Sequence, residues 1–309
     1  MNSSNEPVAV SNVTIVGGTH GNELTGIHLI QEWQKNNVAN EYPALELNYL
    51  LANPAARKAN KRYLDHDLNR CFKKVDLENP ALKSLEQQRA KEINQQLGPK
   101  GNPKTDLIID LHTSTANMQT NIVLTRIDLF HLQLAVYLKQ ELEDVVITSE
   151  KELMTDHHFL ESIAEKGIVI EVGAIPQGSL QFDCYQKTEN AVKATLKFIE
   201  IFNAQQLPSN KPSQLDLMSY HSKINFPTDV HGEISACVHP NLIGKAYPLI
   251  VAGDPIFKSF DGTDIEYQGE PTHLAFINEA AYYDQQIAMC CCRPISFKLE
   301  DYEFAKQSG

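Results

Sequence analysis

Val13-Thr14-Ile15-Val16-Gly17-Gly18-Thr19-His20-Gly21-Asn22-Glu23 opens on a short β-branched, apolar run and closes on a glycine-rich turn that carries His-x-x-Glu. Residues 13–16 read as a buried strand. Residues 23–34 follow as a helix, with Leu24, Ile27, Leu29, Ile30 and Trp33 supplying one apolar stripe. His20 and Glu23 thus lie where a strand leaves its sheet, offering a metal one nitrogen and one oxygen.

The alternation continues through the first two thirds of the chain. Strands are expected at 45–51, 107–111, 121–124, 145–148 and 168–172, and helices at 84–97, 129–142, 159–165 and 190–203. This predicts a three-layer α/β/α domain with a mainly parallel or mixed sheet. The polar, proline-bearing stretch 207–213 suits a linker. Beyond it, short β-like runs separated by Pro227-Thr228-Asp229, Gly253-Asp254-Pro255 and Asp261-Gly262-Thr263 predict a smaller β-rich C-terminal domain. The expected division is 1–207 and 208–309.

The 309 residues are 42% hydrophobic and 21% charged, the profile of a soluble globular protein. No apolar run approaches the ~20 residues needed to span a bilayer. The polar start Met1-Asn2-Ser3-Ser4-Asn5-Glu6 has neither a basic nor an apolar signal region, so a cytoplasmic protein without a membrane partner is expected. Cys71, Cys184 and Cys237 are isolated and Cys290-Cys291-Cys292 contiguous, which is no disulfide framework and implies a reducing compartment. In a strand the triplet alternates between faces and does not converge on a metal. A net charge of −12 excludes nucleic acid as a partner. An acidic protein that binds a small anion needs a local cationic pocket.

A third metal ligand is offered by His112, which ends the second apolar run Leu107-Ile108-Ile109-Asp110-Leu111-His112. Two imidazoles and one carboxylate leave the fourth tetrahedral position of zinc open to water, as in zinc peptidases. In the glycine-rich run 17–23, His20 and Glu23 also fit an ordinary turn. Arg62 and Arg70 bracket Tyr63-Leu64-Asp65-His66-Asp67-Leu68-Asn69. A guanidinium matches a carboxylate with two hydrogen bonds, so one arginine suits a substrate carboxylate and the other a scissile carbonyl. On this segment alone, a surface loop with solvated ion pairs is the simpler account of them. Glu171 interrupts the apolar run 168–172, where a buried carboxylate needs a partner or a task. It is either a general base or a strand-end glutamate paired with an arginine.

Taken together, five motifs resemble the aspartoacylase family: Gly-Gly-Thr-His-Gly-Asn-Glu at 17–23, Asp-Leu-Asn-Arg at 67–70, Asp-Leu-His at 110–112, Glu-Val-Gly at 171–173 with Pro176-Gln177-Gly178, and Asn-Glu-Ala-Ala-Tyr-Tyr at 278–283. They occur in that family's order and span nearly the whole chain. The resemblance implies a zinc carboxypeptidase-like α/β/α fold with a mixed sheet, and hydrolysis of the amide of a small-molecule N-acyl-L-amino acid. N-acetyl-L-aspartate is the default substrate. It makes His20, Glu23 and His112 the ligands of one zinc ion per chain and Glu171 the general base. Arg62 becomes the oxyanion stabiliser, while Asn69 and Arg70 hold the substrate α-carboxylate. Tyr282 would reach the pocket from the C-terminal domain, Asp110 would back a ligand imidazole, and Asp67 would brace Arg62. Family members tend to form dimers or larger assemblies.

One departure bears on the substrate. Aspartoacylases proper carry an arginine just before a segment matching Ser162-Ile163-Ala164 and a tyrosine four residues earlier; here these positions are Glu161 and His157. An acidic residue there resembles the third-aminoacylase branch, which acts on N-acetylated aromatic and neutral amino acids. Glu161 beside an aspartate side chain is repulsive unless Lys151, His157 or His158 compensates. Two further readings are a non-catalytic binder of an acylated metabolite and an enzyme that removes succinyl groups.

Overall fold

The computed structural model describes residues 9–150, 157–208 and 212–304, so Lys151 and part of the expected linker lie outside the described residues. The first half runs β1 (Asn12–Gly17), α1 (Leu24–Lys35), β2 (Glu46–Leu51), α2 (Pro54–Ala59), α3 (Lys74–Glu78), α4 (Leu85–Leu97) and β3 (Leu107–Ser114). It continues through β4 (Gln119–Leu124), α5 (Leu129–Glu141), β5 (Val145–Ser149), β6 (Lys166–Gly173) and α6 (Phe182–Asn203). The remainder is mostly strand: β7 (Gln214–Asn225), β8 (Ala236–Val238), β9 (Leu249–Ile250), β10 (Pro255–Ser259), β11 (Asp264–Glu266), β12 (Thr272–Ala275) and β13 (Ile287–Lys298), with a last helix α7 (Leu299–Phe304).

The main sheet is mixed, in the order β2-β1-β3-β6-β4-β5-β7-β13-β12-β9. β1, β2, β3 and β6 are parallel, and β4 runs antiparallel to β6. All eight residues of β3 are buried, as befits a strand flanked on both edges and covered on both faces. Side-chain alternation divides it: Leu107, Ile109 and Leu111 face one core with α1, α5 and α6, whereas Ile108 joins a second core with α4. In β6, Ile168, Ile170 and Val172 belong to the first core, which leaves Glu171 on the opposite face.

Two expected elements change. The helix expected at 159–165 is a single 3-10 turn over Leu160–Ile163, because β6 already begins at Lys166. The helix expected at 190–203 starts at Phe182; Cys184 and Thr188 continue its buried face where an apolar stripe is weak in sequence. The C-terminal region is β-rich, with a separate sheet β11-β10-β8. Its two longest strands nevertheless extend the main sheet, since β7 pairs with β5 at Thr148↔Met218 and Ser149↔Ser219. Cys290 and Cys292 pack in one cluster and Cys291 in another, the alternation a strand imposes. Among the described residues no helix is long and apolar enough to cross a membrane.

Candidate active site

The turn after β1 needs its glycines for two reasons. Gly18 has φ +73°, and Gly21 lies so close to α2 that a Cβ there would come within 2.2 Å of the Ala56 carbonyl carbon. The tight path turns His20 inward. Glu23 occupies the N-cap of α1 yet makes no side-chain cap bond. Its carboxylate enters the site instead and accepts the Thr113 N–H at 3.0 Å.

His20, Glu23 and His112 are each 3% exposed. The two Nδ1 atoms are 3.1 Å apart. Glu23 Oε1 lies 2.7 Å from the first and Oε2 3.0 Å from the second. With one donor atom taken from each residue, the three lie within 4.8 Å of one another. The far nitrogens face carboxylates, as is usual for metal-ligating imidazoles. His20 Nε2 is 2.9 Å from Asp67 Oδ1, and His112 Nε2 is 3.0 Å from Asp110 Oδ2 without the alignment of a hydrogen bond. Thr19 donates to Asp110 Oδ1 at 2.7 Å. These three residues could hold a metal ion.

Arg62 donates to Glu23 Oε1 at 3.0 Å and to Asp67 Oδ2 at 3.2 Å, so Asp67 contacts both the arginine and a candidate ligand. Burial opposes its charge, but Asp67 and Glu23 outweigh burial and raise its pKa. Burial likewise works against the ionised Glu23, yet His20 and His112 hold its carboxyl well below the usual range. Glu171 shifts the other way: burial and then Glu23 push its pKa up, with only partial relief from His112 and Arg62.

A pocket opens beside these groups. His20, Arg62, His112 and Glu171 line it, together with Asn69, Arg70 and Tyr282. Asn69 is anchored by the Leu160 N–H donating to its Oδ1 at 2.9 Å. Arg70 stands over the Phe159 ring, 4.9 Å from its centroid. Tyr282 packs on Phe276, with ring centroids 5.5 Å apart.

His157 and Glu161, expected beside the substrate, do not line this cavity. Glu161 is fully buried behind it, with its Cγ 2.8 Å from where a Cβ on Gly167 would be. Burial and the Asp110 charge push its carboxyl up to about 8. The 3-10 turn aims its side chain at the sheet, a direction that residue spacing alone does not reveal. His157 is 8% exposed and tilts against Phe159, which is the residue that reaches the cavity.

Three carboxylates were not singled out in the sequence. Glu86 is 1% exposed and accepts the backbone N–H groups of Leu64, Asp65 and His66 at 2.8, 3.0 and 3.1 Å, which holds the loop between Arg62 and Asp67. Glu279 accepts from Ser114 Oγ and, at 3.1 Å, from the Ala116 and Ala281 N–H groups, which ties the Tyr282 turn to the end of β3. Glu150 lines the cavity itself. Glu86 lies in a helix that reads as solvated, whereas Glu279 sits inside a motif where only tertiary contact separates it from its neighbours.

Residues 9–199 match the succinylglutamate desuccinylase/aspartoacylase catalytic domain, and residues 213–294 match the AstE/AspA barrel-sandwich hybrid domain. A probable aspartoacylase of Trichodesmium erythraeum (strain IMS101) is 44% identical, covering 94% of this chain and 99% of its own. An N-acyl-aromatic-L-amino acid amidohydrolase (carboxylate-forming) of Mus musculus is 36% identical over 92% of this chain and 90% of its own. The crystal structure of murine aminoacylase 3 superposes with a TM-score of 0.89 at 34% identity, covering 95% of this chain and 98% of that one.

Proposed function

The chain belongs to the succinylglutamate desuccinylase/aspartoacylase family, and on that premise we propose that it is a zinc-dependent hydrolase of the amide bond of N-acyl-L-amino acids. The observation that carries this reading is the cluster of His20, Glu23 and His112, two of which, His20 and His112, line one cavity with Glu171, Arg62 and Arg70. The donor set of two imidazoles and one carboxylate fits zinc with a position left over. A zinc ion bound there supplies Lewis acidity to water and to the scissile carbonyl.

The protein's own groups do the rest. Glu171, kept basic by its desolvated surroundings, takes a proton from the attacking water and delivers it to the amine nitrogen as the C–N bond breaks. Arg62, held by Glu23 and Asp67, faces the acyl oxygen as negative charge develops on it. Arg70 and Asn69 orient the α-carboxylate, and Tyr282 closes the cavity from the C-terminal region. Residues 1–207 and 208–309 accordingly act as one site. Free thiols at all six cysteines support a reducing, cytoplasmic setting.

The decisive experiment is a hydrolysis panel of N-acetyl-aspartate, -glutamate, -phenylalanine, -tyrosine and -methionine with zinc-loaded, chelated and zinc-restored protein. Metal-dependent release of at least one free amino acid is expected. Background rates for the whole panel would leave a non-catalytic binder as the better account.

A further inference from the structure

We propose that Glu150 is a specificity-determining residue of this site, one that disfavours N-acyl amino acids bearing a second carboxylate and so favours neutral or aromatic side chains. The inference rests on the hydrolase reading and adds what that reading leaves open, the class of side chain.

Glu150 directly follows β5, and its N–H donates to the Leu124 carbonyl at 3.1 Å, so the backbone is fixed where the side chain enters the cavity. The walls carry two arginines, Arg62 and Arg70, against two glutamates, Glu150 and Glu171. Arg62 is already engaged by Glu23 and Asp67. Arg70 is the cation left for the α-carboxylate, and among the described residues no lysine or third arginine lines the cavity to receive another anion. Burial pushes the Glu150 pKa up, with Arg70 the first charge opposing that shift, which places the two side chains in one electrostatic neighbourhood. A second substrate carboxylate therefore meets no partner cation beside Glu150, and it opposes the ionised form of a carboxyl whose charge burial already disfavours. The other walls, Val123, Phe159, Val169 and Phe276, suit an apolar or aromatic group.

The test compares kcat/KM for N-acetyl-L-aspartate and N-acetyl-L-tyrosine in the zinc-loaded wild type, Glu150→Gln and Glu150→Arg. Kd for both compounds is measured in parallel in a Glu171→Gln background, so that binding is read without turnover. Glu150→Gln is close in shape, and the same thermal midpoint as wild type checks its folding. The aspartate-to-tyrosine ratio is expected to rise about 10-fold or more in Glu150→Gln, and further in Glu150→Arg. An unchanged ratio overturns the proposal, as does an equal loss on both compounds, which would reduce Glu150 to a brace for Arg70. If no form turns over either compound while the Kd ratio still shifts, the hydrolase reading fails and the selectivity of Glu150 stands.

Discussion

Glu171 stands directly opposite His112 in the parallel register of β6 and β3, with Asn121 of β4 beside it on the other edge. Strand alternation puts Asp110, His112 and Glu171 on one face of the sheet, while Ile168, Ile170 and Val172 anchor the other. A one-residue slip between these strands would send Glu171 into the apolar core. Register thus sets the distance between the candidate base and a candidate metal ligand.

Removing only the base function follows from this geometry. Glu171→Gln should lower kcat by about 10²–10⁴-fold while zinc content stays near that of wild type, measured by elemental analysis alongside steady-state rates. Near-normal turnover would remove Glu171 from the proton transfer.

Arg62→Ala should lower kcat by about 10²–10³-fold, the cost of losing one oxyanion donor. Rate measurements at saturating substrate separate this from weakened binding. A change confined to KM would instead assign Arg62 to uniform substrate binding.

Chelation should abolish hydrolysis and lower the thermal midpoint, since a ligand bound only by the folded state stabilises it by ~2.7 kcal/mol at a hundred times its Kd. Zinc should restore both. Full activity in exhaustively chelated protein would contradict the metal assignment.

Glu161 gives a pH dependence with a definite sign. Its carboxyl is pushed up to about 8 in the folded protein against an ordinary value of 4.5. The neutral, buried form is compatible with folding, so its stability contribution is complete below the unfolded pKa and is lost as pH rises through the folded one, by at most about 5 kcal/mol. Thermal midpoints should match for wild type and Glu161→Gln near pH 5, and the variant should be the more stable near pH 9. Parallel pH curves would show that Glu161 is not a buried neutral acid.

Glu86→Ala leaves three loop N–H groups without their acceptor and should cost ~2–4 kcal/mol of stability. Because that loop carries Arg62, kcat should fall as well. Denaturant unfolding with parallel kinetics reads both, and an unaffected kcat would separate loop order from the chemistry.

Much of the fold is local in origin and therefore legible in the chain. The 13–34 strand-turn-helix segment depends on period-two and helical spacing around glycines that only their backbone freedom explains. The β5–β7 pairing is different, because nothing within either strand states which free sheet edge it will join. The length of α6 was hidden too, since its first two turns bury Cys184 and Thr188 in place of large apolar residues.

The same division runs through the site. The sequence by itself determined the chemical inventory: His20, Glu23 and His112 as a donor set, Glu171 as a carboxylate in an apolar strand, and a pair of arginines, because residue type and strand-end position are local properties. Only the tertiary structure decided which acid faces the cavity. Glu161 turns inward against Gly167, while Glu150 and Phe159 line the space beside Arg70. That choice depends on side-chain direction in a short 3-10 turn and on the meeting of β5, β6 and the Arg70 loop, which only the packed sheet brings together.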